Sequence, residues 1–166
     1  MAERDEDGGA VGVSDNPKPA DDGQGVPGVR PFPSDERITE ILTHPEVYPY
    51  ISDDFTPITE FKPSPAYYLE PVEGVLVMLV PKLATLWEAH IAALPEARGK
   101  GAEAVRLSAD WLRANTKCQQ VLAIFPDGPV HGLVGRCGFE RVGSVPDSFL
   151  RGGVLLPLHI YSLRIR

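Results

Sequence analysis

The sequence predicts an α/β (α+β) domain in which helices flank a mixed, mostly antiparallel central sheet. Short apolar runs bounded by Gly or Pro are typical of strands, and apolar residues that recur at helical spacing are typical of amphipathic helices. The two patterns follow one another in the order helix, three strands, helix, strand, helix and two strands. We therefore expect one folded domain over residues 34–166, preceded by an N-terminal arm.

The arm, residues 1–33, is rich in Gly, Pro and Asp and has almost no large apolar side chain. It cannot bury enough surface to offset the entropy lost on ordering, so we expect it to be disordered and flexible. Its seven acidic and three basic residues give it a charge of −4, out of −7 for the whole chain. The arm is therefore a candidate segment for binding a protein partner.

The folded part begins with a helix that Ser34 is predicted to cap and that His44-Pro45 ends. Residues 48–55 indicate a loop or a short second helical turn. An antiparallel meander of three strands is predicted next, over residues 66–70, 75–80 and 85–93. A helix over residues 102–114, a strand over 121–125 and a helix over 130–136 follow. The last two strands are predicted over residues 138–143 and 154–163. Pro157 marks a bulge or an edge in the last strand.

A glycine-rich turn joins the third strand to the long helix, with the sequence Arg98-Gly99-Lys100-Gly101-Ala102. The first N–H groups of a helix lack internal partners, and the helix dipole adds about half a positive charge there. The glycines let a ligand approach the backbone, and the two basic side chains attract anions. This pattern favours a phosphate site, although a loop that needs positive φ would explain the same glycines.

Glu88 and His90 lie at alternate positions of the third strand, so we expect them on one face of the sheet. A carboxylate or an imidazole in a cleft can accept a proton from a reacting group. These two residues are the candidate catalytic pair, and a solvated strand face is the alternative interpretation.

Composition argues against several classes of function. A net charge of −7 is unsuited to nucleic-acid binding, which needs a basic surface. No run of about 18 apolar residues is present, and the acidic start is unlike a secretory signal, so we expect a cytoplasmic protein without a membrane segment. Cys118 and Cys137 have no ligand spacing around them, and His131 and His159 show no partner pattern. The sequence therefore predicts no metal site.

The Arg98–Ala102 segment after a strand, followed roughly 35 residues later by Gly138-Phe139, resembles the GCN5-related N-acetyltransferase (GNAT) superfamily. The resemblance covers residues 36–164. It is most similar to phage-encoded members, through His44-Pro45, Glu88 with His90, and the segment 95–101 that leads into the helix.

This resemblance implies a GNAT-like fold with an acetyl-CoA site between two splayed central strands. Amides of Arg98, Gly99, Lys100, Gly101 and Ala102 would hold the pyrophosphate, and amides of Ala92, Ala93 and Leu94 would polarise the thioester carbonyl. An amine would attack that carbonyl directly, and Glu88 or His90 would accept its proton. The implied activity is acetyl-CoA-dependent N-acylation of an unidentified amine.

Three residues depart from the superfamily pattern. Glu103 stands where a small residue is usual, Val134 where many members have a proton-donating Tyr, and Asp127 where Asn is common. Glu103, Val134 and the acidic arm favour an alternative, a catalytically inactive structural or interaction protein of the same fold. It would be a phage virion component whose arm binds a neighbouring subunit, located in the host cytoplasm or the virion. A third hypothesis, an inhibitor that uses the acidic arm as a decoy for a nucleic-acid-binding protein, rests on charge alone.

Overall fold

The computed structural model describes residues 30–62 and 64–165. The predicted disorder of the arm falls almost entirely on residues 1–29, which lie outside the described residues. The strands are β1 (Arg30–Pro31), β2 (Tyr67–Val72), β3 (Val75–Pro81), β4 (Leu86–Ala93), β5 (Gln120–Pro126), β6 (Glu140–Arg151) and β7 (Val154–Arg164). The helices are α1 (Asp35–Thr43), α2 (Tyr48–Ile51), α3 (Gly101–Asn115) and α4 (Val130–Arg136), with 3₁₀ turns at Asp53–Phe55 and Pro95–Ala97.

Within the described residues, seven strands form one sheet in the order β1-β2-β3-β4-β5-β7-β6. Every neighbouring pair is antiparallel except β4 and β5, which are parallel. The predicted meander of β2, β3 and β4 and the predicted mixed, mostly antiparallel sheet are therefore confirmed. The predicted cap of α1 is also confirmed, because Ser34 Oγ accepts a hydrogen bond from the N–H of Arg37.

The sheet begins earlier than the predicted domain boundary, because Arg30 pairs with Glu70 and Pro31 with Leu69. Two residues that include a proline give no strand pattern, so β1 could not be predicted. At the other edge, β6 continues far beyond the predicted residue 143, because it pairs with β7 as far as Arg151.

Of the two alternatives predicted at Pro157, a bulge or an edge, the structure has the bulge, at the β6–β7 pairing. Val145 lies opposite Leu158 and Phe149 lies opposite Leu156, so residues 146–148 lie opposite Pro157 alone. Asp147 has a φ of 47°, which bends β6 at this point. The absence of a proline N–H is tolerated here because the ladder is already interrupted.

The two faces of the sheet are covered by different helices. Odd-numbered residues such as Trp87 and Val121 pack with Trp111 of α3, whereas Ala92 and Leu94 pack with α1. Side chains alternate along a strand, so the even-numbered residues of β4 face α1. Glu88 and His90 therefore lie on the α1 face of the sheet, as one predicted pair.

Candidate active site

A cleft opens in the sheet where β4 and β5 part. The two strands are paired only from Leu86 with Gln120 to Glu88 with Leu122, although β4 continues to Ala93 and β5 to Pro126. Past this point the strands diverge, and the gap contributes to a cavity of about 650 Å³. The splayed central strands that the resemblance implies are present.

The cavity reaches both faces of the sheet and has a mainly apolar wall. On the α1 face, the lining includes Tyr50, Phe61, Tyr68, Met78, Glu88 and His90. On the α3 face, it includes Val105, Leu133, Val134 and Phe139. Glu88 and His90 are thus polar groups set in a largely apolar cleft.

Glu88 is held by two neighbours. Its Oε2 lies 2.8 Å from Lys82 Nζ, and its Oε1 lies 2.9 Å from His90 Nε2. Its side chain is only 14% exposed, and the ammonium of Lys82 compensates its charge. Both carboxylate oxygens are therefore engaged, which suits Glu88 to orienting His90 better than to taking a proton itself.

His90 is the better proton acceptor of the pair. The His90 side chain is 43% exposed, and its partial burial lowers its pKa below the ordinary value, an effect that the nearby Lys82 reinforces and the Glu88 carboxylate opposes. The imidazole is consequently neutral near pH 7, and its Nε2 lies 2.9 Å from Glu88 Oε1. No hydrogen-bond partner for Nδ1 is found among the described residues, so this nitrogen is available to accept a proton.

The start of α3 has only part of the amide set that was predicted to hold pyrophosphate. The N–H of Arg98 donates to the Pro95 carbonyl and that of Lys100 to the Ala97 carbonyl, at 3.2 and 3.1 Å. Within residues 30–62 and 64–165, no acceptor takes the N–H of Gly99, nor those of Gly101 and Ala102, which occupy the first positions of the helix. The predicted five-amide cradle is therefore reduced, because Arg98 and Lys100 use their amides in the preceding turn.

The basic side chains at this turn also differ from one another. Arg98 Nη2 lies 3.2 Å from a carboxylate oxygen of Glu46, in the segment that follows α1. Lys100 is exposed and has no ion-pair partner in the described part of the chain. Lys100 is the more available of the two for an anionic ligand.

Gly101 places the start of α3 directly beside the cleft. A Cβ on Gly101 would lie 3.0 Å from Leu133 Cδ2 and 3.8 Å from Ile91 Cδ1. Both of these residues line the cavity. Because Gly101 has no side chain, the start of α3, with the unpaired amides of Gly101 and Ala102, packs directly against these two cleft-lining residues.

Gly99 is required by backbone conformation. Its φ is 95°, in the left-handed region, and a Cβ there would meet nothing within 4 Å. Gly99→Ala is therefore expected to lower the free energy of unfolding by about 1–2 kcal/mol through strain alone. Urea denaturation measures this change. Gly128 is equally open and has no positive φ, so Gly128→Ala is the control and should cause no loss; equal losses in both variants would contradict the assignment.

The amides predicted to polarise a carbonyl are only partly available. The N–H of Leu94 donates to the Gly74 carbonyl at 2.9 Å, so it points to β3. Backbone N–H groups alternate in direction along a strand. The N–H of Ala92 therefore also points to β3, and those of Ala93 and Ile91 point towards β5. Of the predicted residues Ala92, Ala93 and Leu94, only Ala93 directs its N–H into the gap, and Ile91 joins it.

The structure also brings together a group that sequence analysis did not find. Asp127, His131 and His159 each offer one ligand atom, and these atoms lie within 4.8 Å of one another. The spacing of Asp127 and His131 fits one helical turn, but His159 joins them only through the pairing of β7 with β5. No sequence pattern could show that contact.

No protein-family model matches this chain, and no curated protein sequence matches it either. In the described part of the chain, no helix combines the length and apolar character needed to span a bilayer.

Solved structures do resemble the chain. A spermidine N-acetyltransferase from Vibrio cholerae, in complex with CoA and spermine, aligns over 82% of this chain and 94% of its own with 12% identity and a TM-score of 0.66. A GNAT-family acetyltransferase from Bacillus anthracis aligns over 82% and 93% with 15% identity and a TM-score of 0.65. The protein yncA from Salmonella typhimurium, with its cofactor acetyl-CoA, aligns over 61% and 65% with 16% identity and a TM-score of 0.50. The chain has the fold of the GNAT acetyltransferases.

Proposed function

We propose that this chain is an acetyl-CoA-dependent N-acyltransferase that acts on an amine. The observation that carries the proposal is the cleft between β4 and β5, which holds the Glu88–His90 pair and adjoins the unpaired amides of α3. The fold supports it, since two of the similar structures contain CoA or acetyl-CoA. The reaction class follows from a base and an anion-binding helix start placed at one cleft.

The start of α3 fits the pyrophosphate of an acyl-CoA. The free N–H groups of Gly101 and Ala102 and the ammonium of Lys100 would bind its oxygens. The N–H groups of Ala93 and Ile91, which point into the gap, are placed to polarise a carbonyl. Acetyl-CoA would supply an activated thioester, whose C–S bond breaks as the amine nitrogen bonds to the acyl carbon.

His90 acts as the base in this proposal. Its Nδ1 accepts the proton that the amine nitrogen loses, directly or through one water. Glu88 Oε1 lies 2.9 Å from His90 Nε2, and Lys82 Nζ lies 2.8 Å from Glu88 Oε2. Val134 lines the cleft and has no proton to donate, so water would protonate the departing thiolate.

The acceptor class follows from the α1 side of the cleft. Tyr50, Phe61, Tyr68 and Met78 give it an aromatic and apolar wall. An amine attached to an apolar group would bury that group against the wall and present its nitrogen to His90. We propose this class of acceptor in place of a polyanionic or highly polar amine.

Isothermal titration calorimetry of the purified chain with acetyl-CoA tests the proposal. We expect saturable binding that Ala102→Asp weakens and Glu103→Gln tightens, each by about tenfold, because a carboxylate beside the helix start repels pyrophosphate. Ala102 and Glu103 are exposed, so neither change should disturb packing. Glu96→Gln, an exposed change in the preceding 3₁₀ turn, is the control and should alter affinity little.

Absence of binding by the wild-type chain at millimolar acetyl-CoA would refute the proposal. A structural or interaction protein of the same fold, such as a virion component, would then be the better hypothesis. The specific observation in its favour is Val134, which is only 4% exposed and occupies the position of the usual proton donor. That hypothesis predicts that deleting residues 1–29 abolishes assembly with a partner.

A further inference from the structure

A compact group of one carboxylate and two imidazole side chains lies at the end of β5. Asp127 follows that strand, His131 lies in the first turn of α4, and His159 lies in β7. His159 Nε2 is 2.9 Å from Asp127 Oδ1, and His131 Nε2 is 3.2 Å from the same oxygen. Three potential ligand atoms from three separate elements therefore meet at one point.

The positions of both imidazole rings are fixed by packing. His159 is the cross-strand partner of Phe125 and is only 6% exposed. The His131 ring packs edge-on against the Phe125 ring, with 5.0 Å between centroids. The Tyr161 ring stacks on Phe125 at 5.1 Å. Rings held in this way lose little conformational entropy on binding a ligand.

Hydrogen bonding within the group is incomplete. His131 Nε2 is buried and forms no hydrogen bond with any described residue despite lying 3.2 Å from Asp127 Oδ1. His159 Nδ1 is also buried without a partner in the described part of the chain. Unsatisfied buried nitrogens are costly, and a group such as this one calls for an additional ligand or ion.

The nitrogen of His131 that faces away from Asp127 has the hydrogen-bond partner expected for a metal ligand. Its Nδ1 lies 2.7 Å from the hydroxyl of Tyr161. A histidine ligand usually has its second nitrogen hydrogen-bonded in this way, which fixes the ring and leaves the first nitrogen for the metal. His131 Nε2, the atom that faces Asp127, is therefore the nitrogen left to coordinate.

The donor set selects the kind of metal. Two imidazoles and one carboxylate suit Zn²⁺ and similar transition metals, whereas Mg²⁺ and Ca²⁺ prefer all-oxygen sites. Ligand atoms of a tetrahedral zinc ion lie about 3.3 Å apart. The two distances to Asp127 Oδ1 are 2.9 and 3.2 Å, and all three ligand atoms lie within 4.8 Å of one another. The side chain of Asp127 is 67% exposed, so solvent can fill the remaining coordination position.

We propose that Asp127, His131 and His159 form a binding site for a divalent transition metal of the zinc class. The site lies on the opposite face of the sheet from Glu88 and His90, because Phe125 and its partner His159 share the face of Val121 and α3. A bound ion would tie the β5–α4 turn to β7. The proposal does not depend on acyl transfer.

The test is a titration of the chelator-treated full chain with Co²⁺, followed by visible absorption, and with Zn²⁺, followed by calorimetry. We expect one ion per chain, the visible spectrum of a low-coordinate Co²⁺ site, and a rise in melting temperature on adding Zn²⁺. His131→Gln, His159→Gln and Asp127→Asn should each weaken binding by at least about tenfold. His44→Gln, outside the group, is the control and should bind as wild type does.

Two results would overturn the proposal. One is the absence of saturable binding by the wild-type chain up to about 1 mM metal. The other is equal affinity in wild type and Asp127→Asn, which would place the ion elsewhere. Because Asp127 is exposed, this variant should fold normally, so its loss of the Zn²⁺-induced stabilisation reports on the site even if His159→Gln fails to fold.

Discussion

Glu70→Gln is expected to lower the free energy of unfolding by about 3 kcal/mol, one of the largest effects that a single polar change can have in this chain. Glu70 lies in β2 and is only 2% exposed. Its Oε1 accepts hydrogen bonds from Arg37 Nη2 at 2.7 Å, from Arg37 Nε at 3.1 Å and from the N–H of Gly74 at 2.8 Å. One carboxylate thus joins α1, β2 and the turn that leads into β3.

The expected loss arises because the partners of Glu70 would remain without its charge. The Glu70 carboxylate, more than that of Glu40, raises the pKa of Arg37 well above its usual value. An amide at position 70 keeps the shape but cannot balance the guanidinium, and removing one partner of a buried pair commonly costs about 3–5 kcal/mol. Because the Arg37 side chain is 26% exposed, water partly compensates, which places the expected loss at the low end.

Glu40→Gln is the matched control. Glu40 binds the same Arg37 at 2.7 Å, but its side chain is 59% exposed. Exposed ion pairs contribute about 0–1 kcal/mol, so this variant should be close to wild type. Urea denaturation of both variants gives the comparison, and similar losses for Glu40→Gln and Glu70→Gln would show that burial does not set the strength of the pair.

The elements that sequence analysis predicted well are those in which local pattern and final environment agree. In β3, β5 and α3, the apolar residues of the sequence pattern are the ones that the fold buries. The positions of these strands and of this helix were therefore predictable. β1 and the far half of β6 were not, because they are strands only through their pairing with β2 and β7. Glu70 had no signal of burial, since its partners come from α1 and a later turn.

In the candidate site, too, local pattern predicted some features and could not predict others. Alternation along β4 predicts that Glu88 and His90 share a face, and the structure places both in the cleft. Lys82 was missed because its contact with Glu88 depends on the geometry of the β3–β4 connection. The unavailable amide of Leu94 could not be predicted, because the sequence does not reveal that the Gly74 carbonyl accepts its hydrogen bond.

His90→Gln is expected to lower kcat for amine acylation by about 10²–10⁴-fold, the usual contribution of a general base. Glutamine is polar and of similar size but does not accept a proton at neutral pH. The KM for acetyl-CoA should stay close to the wild-type value, because the proposed pyrophosphate contacts lie at the start of α3. Single-turnover and steady-state assays measure both constants, and a kcat within about threefold of wild type would exclude His90 as the base.

The pH profile separates a base from a residue that only supports the fold. Only neutral His90 accepts a proton, so kcat/KM should rise with pH through the pKa of His90 and then level off. Burial holds that pKa below the usual histidine value, which places the rise at correspondingly low pH. Glu88→Gln removes a group that raises this pKa, so the rise should move to lower pH.

Lys82→Met provides the opposite test of the same assignment. The Lys82 ammonium lowers the pKa of His90, so its removal should move the rise in kcat/KM to higher pH. A purely structural role for Glu88 and Lys82 would reduce rates without shifting the two profiles in opposite directions. If both variants shift the profile the same way, or neither shifts it, the titrating group is not His90, and the base must be sought elsewhere in the cleft.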